Sequence, residues 1–244
     1  MNAGPPAALM DSSEIPAPGE LFRHAYRRVG AERDHLFRIA AIPVTLYFLA
    51  LALLRPHQQD LPGTMLTLAL VFIPMTMFDV AWLRWLLHAG AADPPLPFRW
   101  TRRHTGYLGR LVALHLILIA AAMPVVFVAA LFPENLRAIV LIVSMPLFLY
   151  LSLRFSLFLV ARTIDGVCDL RRSWVATRHG AWRFFWGAAF TTIPVLILLA
   201  LLGELVDVVG FAAMLPLVTM LLSSIASFAL RALLLAVTAV VYDV

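Results

Sequence analysis

The sequence predicts an all-α protein: a polytopic transmembrane helical bundle of about six spans. Three observations carry that. Hydrophobic residues make up 62% of the 244 and charged residues only 14%, with a mean hydropathy of +0.89. A water-soluble domain of this size neither needs nor tolerates so much apolar surface. Apolar runs of roughly 20 residues, long enough to cross a bilayer, recur along the whole chain. Between them, basic residues gather on alternate connections.

Taken in order, residues 1–19 are rich in Pro, Ala, Gly and Ser without apolar periodicity and read as a disordered tail. Residues 20–244 read as one integral membrane domain. Its first part, 20–35, is a short amphipathic stretch with Arg23, Arg27, Arg28 and Arg33. Spans follow at about 36–54, 63–88, 107–131, 136–160, 184–203 and 208–242. The last run is too long for one untilted span, so Pro216 or the Ser223-Ser224 pair is expected to break it. Six spans are preferred to seven.

The arginines orient the bundle. The N-terminal region, the 89–110 connection and the 161–183 connection carry four, four and five, whereas the intervening turns carry Arg55, Arg137 and none. The positive-inside rule then places both termini in the cytoplasm. The net charge of +5 comes from arginine alone, since the chain has no lysine. Every basic cluster flanks an apolar run, which favours anionic lipid headgroups over nucleic acid as the counterpart.

The spans carry prolines in sequence: Pro43, Pro74, Pro124, Pro146, Pro194 and Pro216. Each even-numbered span adds a later arginine: Arg84, Arg154 and Arg231. This spacing suggests a threefold repeat, each unit a basic interfacial helix followed by a proline-broken hairpin.

The stretch from Arg154 to Trp186 leaves one apolar run, crosses an arginine-rich segment and enters another. As one helix it would place Leu170, Trp174, Ala181 and Phe185 on one face, opposite Arg172, His179 and Arg183. Such a helix suits the headgroup layer. Gly180 weakens it and marks a bend before the fifth span.

The pattern Arg154-x-x-Leu157, then Leu170-Arg-Arg-Ser-Trp174-Val-Ala-Thr-Arg-His-Gly180-Ala-Trp-Arg, resembles a family of uncharacterised bacterial multipass proteins. These are related to the membrane domain fused to some glycerophosphodiester phosphodiesterases. Tyr242 near the end of the last span resembles that family's ending. The likeness is close over the stretch just quoted and looser across 20–244. It implies an inner-membrane helical domain. The catalytic domain of those enzymes has no counterpart in these residues, so the resemblance brings no catalytic group with it.

Ionisable side chains inside spans are the most informative. Asp79, Arg84, Arg154 and Arg231 are the candidates for headgroup contact or intramembrane pairing. The expected pairing is Asp79 with Arg154, leaving Arg231 or Arg84 for a lipid phosphate. The alternative is that the arginines snorkel to the headgroups and Asp79 pins two helices. Arg171, Arg172, Trp174, Arg178 and Arg183 form the expected interfacial basic helix. His115 is expected to bond Asp79 or a backbone carbonyl. Trp82, Trp85, Trp100, Tyr107, Trp174, Trp182 and Trp186 read as aromatic belts.

No histidine pairs with a carboxylate at ligand spacing, and Cys168 is the only cysteine, so neither a metal nor another cofactor is expected. No serine or threonine has an evident base, and the glycines form no phosphate-cradling loop. The expectation is a non-enzymatic protein that organises or handles lipid or serves assembly. Its partners would be membrane phospholipids, with a membrane protein or a second copy as protein partner. A small transporter or channel built on Asp79, Arg154 and Arg231 is the alternative.

Overall fold

A computed structural model describes residues 15–54, 61–87, 100–164, 168–178, 180–208 and 216–243. Those residues form eight helices and no strand. They are α1 (Pro18–Ala31), α2 (Arg33–Leu54), α3 (Leu61–Leu87), α4 (Arg102–Ala130), α5 (Glu134–Thr163), α6 (Leu170–Ala176), α7 (Ala181–Val208) and α8 (Pro216–Asp243). Six of them, α2 to α5 with α7 and α8, are long and apolar enough to cross a membrane. The chain is a multipass helical bundle.

Long helices follow from the solvent. In hydrocarbon every backbone N–H and C=O must be satisfied within the segment, so the apolar runs have only the helix available. Small polar residues inside the spans obey the same constraint. The hydroxyls of Thr45, Ser152, Thr191, Thr192, Ser224, Ser227 and Thr238 each donate to the carbonyl four residues earlier on their own helix.

The core is built on the second half of α3 and on α8. Phe78, Val80, Leu83 and Leu86 are buried against Phe228, Ala232, Ala236 and Val237. Phe78 meets Phe228 edge-on with centroids 5.1 Å apart. The small Ala232 lets Trp82 approach closely enough to donate its indole N–H to the Ala232 carbonyl at 3.1 Å. By contrast, the distal part of the α4–α5 hairpin exposes Leu116, Ile119, Met123, Phe127, Ile139, Val143 and Leu147, a surface suited to lipid chains.

Helix α1 buries one face and exposes another. Pro18 supplies a preset φ in the first turn, and Glu20 accepts from the Ala17 N–H at 3.3 Å. Leu21 and Ala25 are buried while Arg23, His24 and Arg27 are exposed. The buried face lies across α7 and α8, Leu21 seating over Gly187. At its far end Arg28 donates to the Leu86 carbonyl. Glu32 beyond it accepts from the Trp85 indole at 3.0 Å.

Four expectations need correction. Residues 15–19 are not part of a disordered tail, since Ile15 is buried and α1 starts at Pro18; the rest of that expected tail, 1–14, lies outside the described residues. The last span is not broken at Ser223-Ser224: α8 runs unbroken through both from its first residue, Pro216, and residues 209–215 before it lie outside the described residues. The stretch after α5 is not one helix; α6 ends at Ala176, and a turn through Thr177 and Arg178 separates it from α7. Gly180 stands at that break because Ile15 packs where its Cβ would be, 2.2 Å from Ile15 Cδ1. Finally, Trp82 and Tyr107 are not belt residues, being 0% and 1% exposed. Trp100, Trp174 and Trp182 are exposed, as a belt requires. His179 lies outside the described residues.

Candidate functional site

The buried charges of the spans divide into two clusters. In the first, Asp79 of α3 is wholly buried and is met from two other helices. Arg231 of α8 donates from Nε to Oδ1 and from Nη2 to Oδ2, each at 2.5 Å. Tyr107 of α4 donates its hydroxyl to Oδ2 at 2.9 Å. The planar guanidinium matches the carboxylate fork, and the phenol occupies a remaining lone pair. Tyr47 of α2 lies within electrostatic reach of Arg231. The Arg231 side chain stays 27% exposed, so its stem reaches the rim of the bundle while its head is spent on Asp79.

This overturns the expected Asp79–Arg154 pair. Arg154 of α5 instead fastens α6. Its Nη1 donates to the Tyr150 hydroxyl at 2.9 Å and its Nη2 to the Trp174 carbonyl at 2.6 Å. Its Cζ lies 3.7 Å from the centroid of the Trp174 ring, a close cation–π contact. Ser173 closes the junction by donating to the Arg154 carbonyl at 2.7 Å. Arg154 is 5% exposed, and among the described residues its Nε has no hydrogen-bond partner. Arg154 and Arg231 thus both spend their heads on groups inside the fold.

Arg84 is half-buried on α3, with contacts of its own and with His104 within electrostatic reach. The three arginines that the repeat would equate thus have unlike surroundings. His115 bonds the Leu111 carbonyl at 2.8 Å and meets Phe72 edge-on, one of the two roles expected of it.

The basic segment after α5 does face outward. Arg171, Arg172, Arg178 and Arg183 are all exposed, as is Trp174. Asp169 caps α6 by accepting from the Arg172 backbone N–H at 2.7 Å. Arg183 reaches back to donate to the Ile15 carbonyl at 3.1 Å, so the start of α1 and this segment form one surface. Cys168, half-buried beside them, has its thiol pushed up from the ordinary value, chiefly by burial and then by Asp169.

Tyr107, Tyr150 and Gly106 were missed as site residues. A signal existed for Tyr107: His104, Tyr107, Leu111 and Leu114 are all buried on one helical stripe of α4, which points Tyr107 inward. Nothing local marks Gly106, which is explained by a residue on α5. Among the described residues no three His, Cys, Asp or Glu side chains gather as a metal site would require. No family model, curated protein or solved structure matches the chain.

Proposed function

We propose that this chain is a non-enzymatic protein of the bacterial inner membrane that engages anionic phospholipid through its basic interfacial helices. Its role would be membrane organisation, lipid handling or assembly. The resemblance to the membrane domain associated with some phosphodiesterases supports the location, and the arginine asymmetry supports a cytoplasmic position for both termini.

One observation carries the reading: the exposed basic residues of α1 and of α6 through the start of α7. They include Arg23, Arg27, Arg171, Arg172, Arg178 and Arg183, with Trp174 and Trp182 also exposed. Arginine beside tryptophan at the end of a span is the composition of a headgroup contact. Native mass spectrometry of the protein in mild detergent tests it. Phosphatidylglycerol should be retained in preference to phosphatidylcholine, and glutamine at Arg171, Arg172, Arg178 and Arg183 together should diminish the excess. Equal retention of both lipids by the unaltered protein would remove the proposal.

The transporter alternative drew on Asp79, Arg154 and Arg231. The pairing of Asp79 with Arg231 and the separate hold of Arg154 on Tyr150 and Trp174 favour a clamping role for them over transport.

A further inference from the structure

Beyond the α6 surface, two arginines meet on the α4–α5 hairpin with no ion-paired carboxylate among the described residues. Gly106 and Arg110 are one turn apart on α4; Phe158 and Arg162 are one turn apart on α5. The helices run antiparallel, and these four residues make a two-by-two patch. Arg110 Cζ lies 4.4 Å from the centroid of the Phe158 ring, and its Nη1 donates to the Phe158 carbonyl at 2.6 Å. Arg162 is laid against the backbone of Gly106 so closely that a Cβ there would stand 2.1 Å from its Nε and 2.8 Å from its Cζ.

A side chain at position 106 would displace that guanidinium from its present place. Each head thereby rests on an apolar or backbone surface, and the two are within electrostatic reach of each other. Among the described residues neither arginine makes an ion pair. Among the described residues Arg162 makes no side-chain hydrogen bond and Arg110 makes the one to Phe158. The carboxylate beside Cys168, that of Asp169, is occupied in capping α6. Holding two like charges together costs free energy that an anion would recover, and guanidinium forks present paired donors to phosphate oxygens.

We infer that Arg110 and Arg162 form a phosphate-binding site across α4 and α5, with Gly106 as the floor that seats Arg162. Arg110 lies near the start of the span expected at 107–131 and Arg162 just past the end of that expected at 136–160, where a span meets the headgroups. This assignment deepens the anionic-lipid reading and rests on it: it names a single headgroup position apart from the α6 surface.

The test uses the full chain in mild detergent, titrated with dioctanoyl-phosphatidylglycerol, dioctanoyl-phosphatidylcholine or inorganic phosphate and followed by native mass spectrometry. One phosphatidylglycerol should bind more tightly than the rest. R110Q/R162Q should weaken that one by about tenfold or more, as expected for lost charge-assisted bonds, while R171Q/R178Q leaves it in place. A folded R110Q/R162Q variant that keeps the tight molecule, with R171Q/R178Q losing it, overturns this site but spares the general lipid reading. No preference for phosphatidylglycerol in the unaltered protein overturns both.

Modification of the unaltered protein by phenylglyoxal, mapped by peptide mass, covers the case in which the double variant does not fold. Phosphatidylglycerol should protect Arg110 and Arg162 together. Equal protection by inorganic phosphate alone would reassign the site to free phosphate, and protection by neither would end the proposal.

Discussion

Asp79 and Arg231 stand 152 residues apart in the chain and meet in a two-point ion pair, with Tyr107 of a third helix donating to the same carboxylate. The arrangement ties α3, α4 and α8 together at one point. A buried pair of this kind is weakly stabilising as a whole and strongly destabilising when halved, because the survivor is left as an uncompensated charge.

That asymmetry gives a measurable pattern. Asp79→Asn should cost about 3 kcal/mol or more of stability, and Arg231→Met a comparable amount. The combined Asp79→Asn, Arg231→Met variant should be less damaging than the sum of its parts. Tyr107→Phe removes one bond to a charged acceptor and should cost about 1.5 kcal/mol. Unfolding in mixed micelles measures all four; strict additivity would mean that the pair does not act as a unit.

The partner of Asp79 shows what the sequence could and could not reveal. All six spans were legible, since bilayer length and apolarity are written in consecutive residues. The neighbours of each span were not. In lipid both the inner and the outer face of a helix are apolar, so the periodicity that orients a helix in a soluble protein is largely silent. Arg154 and Arg231 occupy similar places in their spans, and nothing in either segment says which one faces α3. The buried stripe through Tyr107 was the exception, as it follows a regular helical spacing. The seat of Arg162 on Gly106 was invisible for the opposite reason: it joins two helices through a residue with no side chain.

Arg154 holds α6 through the Trp174 ring and carbonyl. Arg154→Met should leave the bundle folded but release the short helix, raising hydrogen exchange across residues 170–176. Arg154→Lys should rescue little, because an ammonium can neither stack flat on the indole nor bond Tyr150 and Trp174 as a fork does. Unchanged exchange in the methionine variant would assign the docking of α6 to Ser173 instead, whose hydroxyl bonds the Arg154 carbonyl.

Ile15 and Gly180 share a space that admits one side chain. A Cβ at position 180 would stand 2.2 Å from Ile15 Cδ1 and 2.9 Å from its Cβ, so Gly180→Ala should cost about 1–3 kcal/mol by overpacking. Ile15→Ala alone should also destabilise, by emptying a buried site. Together the two should be less harmful than their sum, because the smaller residue at 15 accommodates the new methyl. Thermal unfolding of the four proteins reads the coupling directly. Its absence would show that α1 does not dock where Gly180 lies.

Cys168 reports on the same junction through its acidity. Burial raises the thiol first and Asp169 adds to it, against the lowering influence of Arg110 and Arg172. The thiolate is the reactive form, so alkylation at neutral pH should be slow and should keep rising with pH beyond the range in which an ordinary cysteine has levelled off. Removing the negative neighbour with Asp169→Asn should lower the thiol's pKa and speed alkylation at fixed pH. Arg172→Gln should do the reverse. An impermeant maleimide applied to intact spheroplasts and to inverted vesicles adds the topology. With cytoplasmic termini, as proposed, only the vesicles should be labelled, and labelling of spheroplasts would invert the bundle and place its basic surface outside.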